Sequence, residues 1–170
     1  METKEDSKME HCVEQIVDLF NQLADGHYHE WKTTRGNTQQ SERDYTEIFA
    51  MCIEECGFQH NQAASQKPKD FHIYTETGEL DIELKKVNTK NGGYMLNDTL
   101  PDDDTFYVFI NVERETTIFM TGKEMKGEQY QELAEYKQEL EDIKAKYRSK
   151  LKGTKWYIHA RPSFTFYAHR

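Results

Sequence analysis

The chain carries little that would cross-link it, secrete it or embed it. Its three cysteines are an odd number, and two of them, Cys52 and Cys56, share one helical pattern, so no disulfide framework is expected and the thiols should be reduced. Three prolines and nine glycines in 170 residues leave no room for a proline-rich or glycine-rich linker. No apolar run approaches the roughly 20 residues that a membrane-spanning helix needs. The segment METKEDSKMEHC, charged in both signs, lacks the apolar centre of a signal peptide, so the expected location is cytoplasmic with no membrane contact. What the chain does have is aromatic bulk: nine Phe, ten Tyr and two Trp argue against whole-chain disorder. Residues 1–170 are expected to form one domain around one core, without internal repeats.

Acidic residues are missing from one region altogether. From Lys144 to Arg170 the chain holds Lys144, Lys146, Arg148, Lys150, Lys152, Lys155, Arg161 and Arg170 and no Asp or Glu, so all 31 acids lie before it. The net charge of −9 therefore sums two opposite regions. Such segregation points to a polyanion contact, with a solvated helix face as the plain alternative.

Periodicity gives the elements. Met9, Val13, Ile16, Val17, Phe20 and Leu23 recur at steps of three and four, which predicts a helix over 9–24 ended by Asp25-Gly26. HYHEWKTTRGNTQQSERD has no period and reads as a surface loop. Ser41 or Asp44 can cap a second helix through Glu55, with Ile48, Phe49, Cys52, Ile53 and Cys56 buried and Gly57 as its stop. Asp70–Tyr74 and Leu80–Lys86 form a hairpin around a Gly-containing turn, and 90–104 reads as a loop. FYVFINV, 106–112, is apolar throughout, the mark of a strand covered on both faces. A strand over 116–120, a helix from about Glu128 to Leu151, and strands over 156–161 and 163–169 complete an α/β plan, a mixed central sheet flanked by helices.

The chemistry concentrates in KPKDFHIYTETGELDIELKK, 67–86. Alternation along the second strand puts Asp81, Glu83 and Lys85 on one face and Ile82 and Leu84 on the other. A turn about Thr77 places Asp70 opposite Leu84, and a turn about Thr77-Gly78 places it opposite Lys85; either brings Asp70 beside Glu83 and Lys85. Cross-strand neighbours with Cβ atoms about 4.5–8 Å apart allow one hard cation to bridge two carboxylates. Two acids and a lysine in this arrangement suit Mg²⁺-assisted phosphodiester hydrolysis. A solvated hairpin face whose charges pair across the strands is the competing description.

Pro68-Lys69-Asp70 followed after twelve residues by Glu83-Leu84-Lys85 resembles the PD-(D/E)xK nuclease superfamily, and within it the small type II restriction endonucleases. The helix from Glu47-Ile48-Phe49 to Glu55-Cys56-Gly57-Phe58 is similar to the acidic helix that often precedes the catalytic hairpin there, and the resemblance spans about 40–125. It departs in one respect, since Lys69 splits the family's Pro-Asp pair, and Asp81 stands as the alternative first acid. The resemblance implies a restriction-endonuclease-like fold, catalytic Asp70, Glu83 and Lys85, Mg²⁺ held by Asp70 and Glu83 with Glu47 as an additional ligand, and direct attack of water on the scissile phosphate of double-stranded DNA. One such centre per chain implies a homodimer for double-strand cleavage. The apolar positions Val13, Ile16, Val17 and Phe20 are offered as its contact, with packing on their own domain as the alternative.

The expected DNA-binding part is 126–170, through Lys146, Lys150, Lys152 and Lys155 and through Tyr157, His159 and Arg161 on one face of the 156–161 strand, with Lys90 and Asn91 in the loop beyond the catalytic strand. Cys52, Cys56 and His60 have a spacing that superficially suits zinc, but without a second cysteine pair they read as core thiols and a nearby imidazole. His27 and His29 are read as part of a polar loop. A junction-resolving or repair nuclease of the same fold, or a non-enzymatic acidic interaction protein, are the alternative functions.

Overall fold

The computed structural model describes residues 4–32, 38–62, 69–97 and 99–169. In chain order these form α1 (Lys4–Ala24), a 3₁₀ turn (Tyr28–Trp31), α2 (Thr38–Glu55), β1 (Gln59–Gln62), β2 (Phe71–Thr75), β3 (Gly78–Val87), β4 (Tyr94–Asn97), β5 (Thr105–Asn111), β6 (Thr116–Thr121), α3 (Gly122–Lys126), α4 (Tyr130–Lys150) and β7 (Ser163–Phe166). A mixed five-stranded sheet runs in the order β1-β2-β3-β5-β6, with β3 and β5 parallel and the other neighbours antiparallel. The α/β plan with a central mixed sheet flanked by helices is therefore the observed one.

The sheet separates two cores because alternate side chains leave opposite faces. On one face Leu80, Ile82 and Leu84 of β3 and Phe106, Val108 and Ile110 of β5 pack against Val13, Ile16, Val17 and Phe20 of α1 and Phe49, Cys52 and Ile53 of α2. On the other, Tyr107 and Phe109 pack with Met125 and with the two-stranded β4–β7 ribbon through Tyr94, Leu96 and Phe164. All of β5 is buried, as its unbroken apolar run requires. The α1 side chains offered as a subunit contact are at most 4% exposed and belong to this core, so they are not free to meet a second chain.

Four local expectations are corrected. Residues 27–32 are not a surface loop: Tyr28 and Trp31 are 2% and 1% exposed, Trp31 stacks on Phe20 with centroids 5.7 Å apart, and the Tyr28 hydroxyl donates to Asn21 Oδ1 at 2.9 Å. Neither Ser41 nor Asp44 caps α2, which starts at Thr38; Ser41 lies inside it, buried, and accepts from Lys86 Nζ at 3.0 Å. The 90–104 segment contains β4, whose Tyr94 and Leu96 point into the second core. Residues 156–161 are not a strand. No neighbouring strand pairs with them; instead Arg148 Nε donates to the Ile158 carbonyl at 3.0 Å and Lys144 Nζ to the Ala160 carbonyl at 3.5 Å, tying the segment along α4. Trp156, expected on an apolar face, is 78% exposed.

Candidate active site

The β2–β3 hairpin turns through Glu76-Thr77, with Thr75 opposite Gly78 and Phe71 opposite Ile82. This register is tighter than either expected one. Its turn is held by Thr75 Oγ1, which accepts from the Thr77 N–H at 3.2 Å, and by Gly78, whose φ of +144° an L side chain rarely adopts. The tighter turn places Asp70, just before β2, beside Glu83. Its backbone N–H donates to the Ile82 carbonyl at 3.0 Å, and its carboxylate Oδ2 accepts from the Leu84 N–H at 2.7 Å.

Asp70, Glu83 and Lys85 thus meet at one place. Glu83 and Lys85 form an ion pair, both side chains mostly covered, on the sheet face that also carries Tyr107 and Phe109. Burial pushes the Asp70 pKa up; the Leu84 N–H opposes this, Glu83 adds to it, Lys85 opposes it and Glu42 adds further. A carboxylate raised by burial and by two neighbouring acids carries negative charge that a cation would relieve. Asp81 has another engagement, accepting from His72 Nδ1 at 2.7 Å, while Glu79 meets His72 Nε2 at 3.0 Å.

Glu83 opens into a cleft of about 590 Å³. One wall is the sheet and the 99–102 segment, with Lys69, Asp102 and Tyr107; the other is the first half of α4, with Tyr130, Lys137 and Glu141. Lys69 Nζ donates to Thr105 Oγ1 at 2.6 Å, lies 3.5 Å from Asp102 Oδ2 and sits 5.6 Å from the Tyr107 ring centroid. Gly122 secures that wall, because a Cβ there would come within 1.9 Å of the Asp102 carbonyl oxygen. A larger cleft of about 960 Å³ lies at the hairpin turn against α1. It carries Cys12 and Cys56, whose thiols burial pushes up, which leaves neither an activated nucleophile.

Glu47 is exposed, and the helix acid whose charge acts on Asp70 is Glu42. Sequence reading passed over Glu42 because a helix capped by Ser41 or Asp44 leaves it in the first turn or before the cap. Lys69 and Tyr107 were also passed over, the first as an interruption of Pro-Asp and the second as one ring in an apolar run. Glu54 lies 3.2 Å from His60, and burial pushes the Cys52 thiol up to about 12, in keeping with a core thiol rather than a zinc ligand.

Among the DNA-binding candidates, Lys90 and Asn91 are exposed in the turn after β3, where the Lys90 carbonyl accepts from Arg114 Nε at 2.7 Å. Lys146 and Lys150 lie 5.7 and 5.0 Å from the Tyr147 ring. Tyr157 stacks under Arg148 at 4.4 Å and meets His159 edge-on at 4.9 Å. Lys152, Lys155, His159 and Arg161 are exposed. The groups from Lys146 to Arg161 form a basic and aromatic surface at the far end of α4, not a ribbon.

Among the described residues no cluster of three or more His, Cys, Asp and Glu forms a ready-made metal cage, and no helix is long and apolar enough to cross a membrane. Mg²⁺ commonly takes one or two protein carboxylates and keeps waters in its other positions, so the pair Asp70 and Glu83 fits that ion. No family model, no curated protein and no solved structure matches the chain.

Proposed function

We propose that the chain is a Mg²⁺-dependent endonuclease with a restriction-endonuclease-like core, cutting both strands of duplex DNA at specific sites. The observation that carries this reading is the meeting of Asp70, Glu83 and Lys85, with Glu83 opening into the cleft. Asp70 and Glu83 would hold the cation, with Glu42 raising the negative charge beside them. When bound, Mg²⁺ supplies polarisation of the phosphate and a lowered pKa for a water. Lys85 orients the attacking water and stabilises charge that develops on the phosphate oxygens. Lys69, on the cleft wall, offers a second cation to the DNA backbone. Water attacks the scissile phosphorus directly, the bond to the leaving 3′ or 5′ oxygen breaks, and no covalent enzyme intermediate forms. Two strands require two centres, and a homodimer supplies them with the symmetry of a palindromic site.

The test is incubation of the purified chain with long duplex DNA and Mg²⁺. Discrete fragments that vanish with chelator and with Glu83→Gln support the reading. Cleavage that follows branched or damaged DNA instead of a sequence would assign it to a junction or repair nuclease. No metal-dependent cleavage, with tight binding to a basic protein, would refute the nuclease reading and select an acidic interaction protein.

A further inference from the structure

The apolar face of α4 is covered only in part by its own chain: Leu133 packs against the second core and the Tyr136 ring meets Phe164 edge-on at 5.9 Å. Leu133, Tyr136, Leu140, Ile143 and Tyr147 recur at steps of three and four, the spacing of a helix-pairing seam. Yet no residue of this 21-residue helix is buried, and Tyr136, Ile143 and Tyr147 are 51%, 54% and 43% exposed. We propose that α4 pairs antiparallel with α4 of a second copy of this chain, the seam of one lying in the seam of the other.

Charge selects this occupant and this direction. The first part of α4 is acidic, through Glu132, Glu135, Glu139, Glu141 and Asp142, and the rest, from Lys144 on, carries only basic charges. Antiparallel pairing lays each acidic half along the basic half of the other copy, whereas parallel pairing lays like on like. A twofold axis between Glu141 and Asp142 brings Leu140 opposite Ile143, and Tyr136 opposite Tyr147, of the other copy. Glu132, Glu139 and Lys146 flank the seam at seven-residue steps. In an antiparallel pair this flank meets itself, so Glu139 of each copy meets Lys146 of the other. The opposite flank is occupied within the chain: Lys137 lines the cleft, and Lys144 is paired with Glu141 and bonded to the Ala160 carbonyl. A parallel pair would need that flank. The inference does not rest on the nuclease reading.

Sedimentation equilibrium of the full chain should give twice the monomer mass. Ile143→Asp should raise the dimer dissociation constant at least about tenfold, as loss of a central apolar anchor does, with an unchanged far-ultraviolet spectrum because the position is exposed. Glu139→Lys alone and Lys146→Glu alone should each weaken the dimer, and the double variant should recover it. A monomeric wild type at tens of micromolar would overturn the proposal. So would a dimer indifferent to Ile143→Asp and to the charge swap, or loss of DNA affinity in Ile143→Asp with its mass unchanged, which would give the face to nucleic acid.

Discussion

Asp70 separates a stored charge from a structural hydrogen bond, because the two can be removed independently. Its Oδ2 accepts from the Leu84 N–H at 2.7 Å, so Asp70→Ala leaves a partly buried donor without a partner, which destabilises by about 1–3 kcal/mol. Asp70→Asn keeps an acceptor on that atom and removes the charge that burial, Glu83 and Glu42 disfavour. The folded-state pKa is raised, so the stability tied to protonated Asp70 is full below the ordinary carboxylate range and is lost as pH rises through the raised value. The Asn variant should therefore equal or exceed the wild type in urea denaturation at pH 7, with the difference shrinking toward pH 4, while Asp70→Ala falls below both. Mg²⁺ should stabilise the wild type more than either variant, and both variants should lose cleavage. If Asp70→Asn at pH 7 is as unstable as Asp70→Ala, the charge on Asp70 is stabilising, held by Lys85 as an ordinary ion pair, and the reasoning fails.

Glu42→Ala should weaken Mg²⁺ binding, measured by calorimetry, whereas Glu47→Ala should leave it unchanged, since only Glu42 acts on Asp70. Trp31→Ala should destabilise by about 3–5 kcal/mol in chemical denaturation, the cost of emptying a large buried site, because that ring is 1% exposed in the α1–α2 core; a surface loop would lose almost nothing. Replacing Lys150, Lys152 and Lys155 with Gln should flatten the dependence of log K for DNA on log salt by up to about 2.7. An unchanged slope would place the DNA contact elsewhere.

Where periodicity and pairing agree, the fold is legible from sequence. FYVFINV announces a strand covered on both faces, and the alternation in DIELK puts Glu83 and Lys85 on the face where they are found. What escaped depends on partners far away in sequence. Tyr28 and Trp31 sit in a polar stretch, and contacts with Phe20, Asn21, Tyr45 and Thr117 make them core residues. The four residues of β4 carry too short a pattern to stand out until β7 pairs with them. The same limit produced the opposite error at 156–161, where alternation alone was read as a strand although nothing lies beside it. The hairpin register was missed because the choice of turn depends on the Thr75 hydroxyl and Gly78 together.

Lys85 and Lys86 are neighbours in sequence on opposite sides of the sheet. Lys85 pairs with Glu83 at the cleft, while Lys86 passes through the other side to donate to the Trp31 carbonyl at 2.7 Å and to Ser41. One residue thus separates chemistry from anchorage. A single-residue insertion between the turn and Glu83 that slipped the strand would exchange the two roles, turning Ile82 and Leu84 outward and driving Glu83 and Lys85 into apolar packing. Length changes in β3 are therefore excluded more strictly than most substitutions, and drift in this segment is confined to replacement.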